Sequence, residues 1–160
     1  MRILALDLGT QTGWAYWDGA RRESGVQVFD VKRGESPGMR YVRFNNWISF
    51  VFDQGGTPPE IVVYEQTHNR GGAATEIAAG FATRVQEFCA RHHLEHSAIH
   101  SATLKKWTTG KGNAKKPDMV AAVVRRWPVD CPRTHPLGDD EADAIALLEY
   151  AKTEYVGAGA

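Results

Sequence analysis

A chain of 160 residues with 42% hydrophobic and 24% charged positions is sized for one domain that buries its own core. Its 19 basic and 19 acidic residues cancel, which excludes a general polyanion binder held by bulk charge. No apolar run reaches the ~18 residues of a helical membrane span, and no secretory leader pattern opens the chain. The two cysteines, Cys89 and Cys131, have no metal-finger spacing and are expected as reduced thiols in a cytoplasmic protein.

In chain order, Arg2–Leu8 reads as a short buried strand that ends at Gly9. Gly13–Asp18 and Gly25–Val31 read as second and third strands, joined by turns at Gly9–Thr12 and Asp18-Gly19. Pro37–Asp53 carries apolar residues at helical spacing, and Gln54–Pro59 breaks it. Ile61–Glu65 is a fourth strand, again ending on an acid, and Thr67–Gly72 is a polar loop. Ala73–Arg91 is a long helix, His96–His100 a fifth strand, and Ser101–Trp107 opens a short helix before a glycine-rich loop at Thr108–Asn113. Pro117–Trp127 and a segment capped by Asp139 or Asp140 and running to about Tyr150 are the last helices. The longer elements therefore run β-β-β-α-β-α-β-α-α, an α/β chain with a five-stranded mixed sheet and helices on both faces. Residues 1–155 are expected as one domain, and 156–160 as a flexible tail.

Charge is unevenly placed. Ser101–Trp127 holds Lys105, Lys106, Lys111, Lys115, Lys116, Arg125 and Arg126 against Asp118 alone. Asp139–Glu149 holds five acids and no base. That pairing suits a protein that holds a polyanion beside a cation site.

The acids have a pattern. Asp7 and Glu65 each end an apolar strand, and Asp140 and Asp143 share one face of a helix start. Gathered together, four carboxylates are costly unless a hard cation neutralises them. Two such cations, roughly 3.5–4 Å apart, stabilise both oxygens of a phosphodiester displacement. Taken singly, each acid has an ordinary alternative as a turn partner, a solvated strand end or a helix cap.

"ILALDLGTQTGWA", "VVYEQ", "LKKWTTGKGNAKKPDMV" and "DDEADAIALLEYA" resemble, in order, the four blocks of the RuvC family of Holliday junction resolvases, including its phage-type members. The first block alone is shared with sugar kinases and actin-like ATPases, but the third block with the Asp-x-x-Asp helix is more specific. The resemblance implies a ribonuclease H-like fold and a homodimeric endonuclease that makes paired symmetric nicks in four-way junction DNA. It implies Asp7, Glu65, Asp140 and Asp143 as metal-binding acids for two Mg²⁺ or Mn²⁺ ions per site. Lys105 and Lys116 would lie near the scissile phosphate, with Lys116 counted among the catalytic residues. Lys106, Lys111 and Lys115 are expected as further DNA contacts, and His68 and Arg70 as contacts at the crossover. Branch-migration motors partner some family members.

Several features keep alternatives open. The small residues Ala73, Ala74, Ala78, Ala79, Gly80 and Ala82 suit either a dimer helix or close internal packing. His92 and His96 have the spacing of a zinc pair, but no other ligand completes a site. Trp14, Trp17, Trp47, Trp107 and Trp127 are expected mostly as core or platform residues, with Trp107, inside the basic stretch, the one candidate for stacking on DNA. The rival functions are a related ribonuclease H-like nuclease acting on RNA or other branched DNA, and an actin-like or sugar-kinase-like ATP-binding module. The second would need two domains to enclose its nucleotide.

Overall fold

The computed structural model describes residues 1–54, 58–66, 71–128 and 136–157. Five strands form one sheet: β1 (Ile3–Asp7), β2 (Gln11–Trp17), β3 (Arg22–Val28), β4 (Ile61–Glu65) and β5 (Glu95–Ile99). Their spatial order is β3-β2-β1-β4-β5. The β1–β2 and β2–β3 pairs are antiparallel, and the β1–β4 and β4–β5 pairs are parallel. The mixed sheet expected from the element order is present. The helices are α1 (Met39–Gln54), α2 (Ala73–His92), α3 (Ser101–Thr109), α4 (Lys116–Arg126) and α5 (Asp139–Tyr155).

Side-chain alternation along the strands builds two cores. Ile3, Ala5, Ile61 and Val63 face α3, α4 and α5, while Leu4, Leu6, Val62 and Tyr64 face α1 and α2. Helix α5 is apolar nearly all round. Ala142, Ala144, Ile145, Ala146, Leu147, Leu148 and Ala151 are all completely buried, the mark of a central rather than a surface helix. At its distal half, Arg22 Nη1 donates to Glu149 Oε1 at 2.7 Å. Lys152 Nζ lies 3.2 Å from Glu149 Oε2, and its ammonium sits 3.9 Å from the centre of the Trp17 ring. Removing one partner of such a buried group strands the others, a cost of about 3–5 kcal/mol. This triad pins α5 to β2 and β3.

Several local expectations change. Helix α5 is capped by Gly138 and not by an aspartate; Asp139, Asp140 and Glu141 occupy its first turn, where the helix dipole favours negative charge. It also runs on to Tyr155. Helix α3 extends to Thr109 and ends at Gly110, whose φ of 84° suits glycine, so the glycine-rich loop is shorter than its composition implied. His92 ends α2 against Phe52 and Phe88, whereas His96 lies in β5, so the two do not share a helix face. Trp107 is stacked on Trp127, with ring centres 5.3 Å apart, and meets Tyr150 edge-on. It is therefore a packing residue. Gly80 lies against α1, where an added Cβ would come 2.2 Å from Tyr41 Oη; this small residue serves internal packing. Cys89 is a buried free thiol, its pKa pushed up by burial to about 11, while Cys131 lies outside the described residues. No helix among the described residues is long and apolar enough to cross a membrane.

Candidate active site

Strand parity decides where the first two acids go. Asp7 follows Ile3 and Ala5 onto the α5 face of β1, and Glu65 follows Ile61 and Val63 onto the same face of β4. Leu6 pairs with Tyr64, so the two acids extend from neighbouring parallel strand ends. On the other side of β1, Asp7 pairs with Gly13 of β2. The first turn of α5 rests directly on that glycine: an added Cβ there would lie 1.9 Å from the Asp140 carbonyl oxygen. Asp140 and, one turn on, Asp143 are thereby brought beside Asp7. The turn before β2 is held by Thr12, whose buried hydroxyl donates to the Gly9 carbonyl at 2.7 Å.

The four acids line one cavity of about 290 Å³ together with Lys105, Lys116, Gln11 and Met119. Lys105 comes from α3 and Lys116 from the first residue of α4. The Lys116 ammonium is hydrogen-bonded to the Asp139 carboxylate, which raises the lysine pKa and lowers that of Asp139. Asp139 thus serves as a counter-ion at the rim. Gln11 and Met119 were not singled out in the sequence; only their placement at the start of β2 and on α4 makes them cavity walls.

The electrostatics record the crowding. Burial raises the Asp7 carboxyl well above the usual range, and the charges of Asp143, Glu65 and Asp140 add to it against Lys116. Burial and then Glu65 push Asp143 up to about 7, opposed by Lys105 and Lys116. Asp140 is also raised, by burial and by Asp139. Asp143 Oδ1 is buried without a hydrogen-bond partner among the described residues. An oxygen-only donor set, an orphaned carboxylate oxygen and mutually repelling acids fit a hard divalent cation. Among the described residues, no group of three or more His, Cys, Asp or Glu is already drawn together closely enough to hold one. Binding would require the side chains to converge.

The basic residues divide. Lys105 and Lys116 enter the cavity, Lys106 and Lys115 are exposed outside it, and Lys111 lines a separate groove with Arg125. His68 and Arg70 lie outside the described residues.

A stability test follows from these shifts. Asp7 and Asp143 bind protons more tightly folded than unfolded, so their contribution is full below about pH 4 and is lost as pH rises through about 7 for Asp143. The metal-free protein should therefore lose stability, relative to an Asp143→Asn variant, as pH goes from 5 to 8. Mg²⁺ at about a hundred times its Kd should return ~2.7 kcal/mol at pH 8 and far less at pH 5. Thermal melts of both proteins at each pH, with Mg²⁺ and with chelator, measure this; a difference independent of pH would refute the crowded-acid account.

No protein-family model matches the chain. A crossover junction endodeoxyribonuclease RuvC from Rickettsia akari (strain Hartford) is 29% identical over 90 residues, which are 56% of this chain and 55% of that relative. The chain is thus matched over about half the length of this curated relative. The RuvC structure from Thermus thermophilus superposes with a TM-score of 0.68 at 20% identity, covering 96% of this chain and 97% of the other. The T. thermophilus RuvC in complex with Holliday junction substrate gives 0.71 at 20% identity, with 96% of each chain covered. The yeast mitochondrial Holliday junction resolvase gives 0.58 at 11% identity, over 91% of this chain and 75% of that one. The chain thus has the ribonuclease H-like fold of these structures, a mixed five-stranded sheet with flanking helices, and over 90 residues its sequence is similar to that of a curated RuvC.

Proposed function

We propose that this chain is a structure-selective endodeoxyribonuclease that resolves Holliday junctions by paired symmetric nicks. The observation that carries the reading is the single cavity lined by Asp7, Glu65, Asp140 and Asp143 with Lys105 and Lys116. The T. thermophilus structure with a Holliday junction substrate lends support, because its fold matches over nearly the full length.

Residues 1–155 act as one nuclease domain of a cytoplasmic homodimer, which suits a two-fold junction. Asp7, Glu65, Asp140 and Asp143 hold two divalent cations, Mg²⁺ or Mn²⁺. Bound there, the cations supply a water nucleophile of lowered pKa and charge stabilisation at the phosphate oxygens. The protein's own part is to bring the four carboxylates into one cavity, where burial and mutual repulsion make a bound cation the favoured neutraliser. The lysines act on the substrate: Lys116 and Lys105 meet the phosphate as point charges. Lys116 must exchange Asp139 for phosphate, so Asp139 holds the lysine in place until DNA arrives. Lys106, Lys111 and Lys115 contact the backbone beyond the cavity. His68 and Arg70 are proposed to act at the junction centre.

The test is side-by-side cleavage of a synthetic four-way junction, a flap, a duplex and an RNA–DNA hybrid, with Mg²⁺, Mn²⁺ or chelator. Paired nicks in the junction, symmetric across it and absent with chelator, are expected. Preferential cutting of the hybrid or the flap would move the substrate to another branch of ribonuclease H-like nucleases.

A further inference from the structure

Helix α4 separates two surfaces of opposite character. Lys116 and Met119 face the acid cavity. Asp118, Ala121, Ala122 and Arg125, at helical spacing on the adjoining stripe, face a groove of about 200 Å³ closed on its far side by Thr109 and Lys111. The groove is basic on balance, with two cations against one carboxylate, and that carboxylate is engaged: Asp118 Oδ2 accepts the Lys115 backbone N–H at 3.1 Å. The Thr109 hydroxyl is also engaged, donating to the Lys105 carbonyl and accepting the Lys111 backbone N–H.

The two neighbouring arginines of α4 have different fates. Arg126 is exposed but engaged by the fold: its guanidinium lies 4.6 Å from the Trp107 ring centre and 4.4 Å from that of Trp127. It also donates to the Trp107 and Thr108 carbonyls at 2.7 and 2.9 Å. Arg125 is exposed and, among the described residues, has neither an ion pair nor a hydrogen bond from its side chain; the same holds for the Lys111 ammonium. Two unpartnered cations on opposite walls of a narrow groove, floored by alanines too small to fill it, form a receptor for a compact anion.

We propose that this groove is a second phosphate subsite, in which Arg125 and Lys111 hold the backbone of a DNA arm about two nucleotides from the bond that is cut. The spacing comes from the helix: the nine residues from Lys116 to Arg125 rise ~13 Å, and successive phosphates of one B-form strand lie ~6–7 Å apart once the ~3.4 Å axial rise is combined with the twist. The subsite rests on the nuclease reading above and adds to it a contact that fixes the arm's direction. The Arg126 stack with Trp107 and Trp127 joins the ends of α3 and α4, and so keeps the two walls in register.

Arg125→Gln should weaken binding of a four-way junction several-fold near 0.1 M salt. It should also reduce the slope of log Kd against log salt by about one. Lys111→Gln, on the other wall, should do the same, whereas Arg40→Gln, on α1 across the sheet, should change neither. A neutral methylphosphonate walked along each arm should weaken wild-type binding at about the second phosphate from the nick, and that penalty should vanish in Arg125→Gln. If both groove variants keep the wild-type slope, or no methylphosphonate position loses its effect in Arg125→Gln, the subsite is wrong while the nuclease reading stands. If the wild-type protein neither binds nor cuts four-way junctions, the nuclease reading fails first and takes the subsite with it.

Discussion

Asp7→Asn should reduce junction cleavage by about 10³-fold or more while leaving junction binding in place. The loss corresponds to at least ~4 kcal/mol of transition-state stabilisation, within what a cation-holding acid supplies. Asp7 is the acid most crowded by the others, with Asp143, Glu65 and Asp140 all raising its pKa. It is the member that neighbouring β4 and the first turn of α5 both converge upon. Asparagine keeps the side-chain shape but not the charge that a hard cation needs. The fold should not suffer, because the variant removes repulsion among buried carboxylates; its melting temperature at pH 8 should equal or exceed that of the wild type. Binding should survive, because Lys105, Lys106, Lys111, Lys115 and Lys116 are untouched and one negative charge near the phosphate is gone. Gel-shift titration with chelator, beside single-turnover nicking with Mg²⁺, separates the two effects. Cutting within tenfold of wild type would remove Asp7 from the catalytic set.

Much of this site was legible because its acids sit where the hydrophobic pattern stops. An apolar run closing on Asp7, another closing on Glu65, and a helix opening on Asp140 and Asp143 all mark element ends, where a lone acid stands out against the apolar residues beside it. The basic stretch was legible only as a composition. Nothing local distinguishes Arg125 from Arg126, yet one is spent on two tryptophan rings and the other faces open space. Trp107 stood between two readings for the same reason: its neighbours in sequence are lysines, but its neighbours in space are Trp127 and Tyr150. The Arg22–Glu149–Lys152 triad joins residues 127 apart in the chain, and no spacing rule announces it. Gly80 and Gly13 show the limit most sharply, since a missing side chain says only that something is close, not what.

Gly13→Ala should abolish most activity without touching a single acid. Gly9 belongs to the turn after Asp7, whereas Gly13 lies inside β2, paired with Asp7. It is small because α5 crosses it. A methyl group there would stand 1.9 Å from the Asp140 carbonyl oxygen, 2.3 Å from its carbon and 2.9 Å from the Glu141 nitrogen. These are backbone atoms, so no rotamer change relieves the clash. Ordinary contact is ~3.5 Å, which asks the first turn of α5 to retreat by about 1.5 Å. The helix has little freedom to do so: it is buried on nearly every side, Ser24 Oγ donates to Glu141 Oε1 at 2.7 Å, and Arg22 holds Glu149 further along. The strain should cost ~1–3 kcal/mol of stability, seen as a lower melting temperature. Whatever retreat does occur carries Asp140 and Asp143 away from Asp7 and Glu65. A misplacement of about 1 Å costs on the order of 10²-fold in a positioned reaction. Below its melting point the variant should therefore bind junctions, nick them at least ~10²-fold more slowly, and gain less stability from Mg²⁺ than wild type. Gly9→Ala is the matched control, because its Cβ would meet only the Gln11 carbonyl, at an ordinary 3.5 Å. Equal nicking rates for Gly13→Ala and Gly9→Ala would mean that the approach of α5 to β2 does not govern the geometry of the acids.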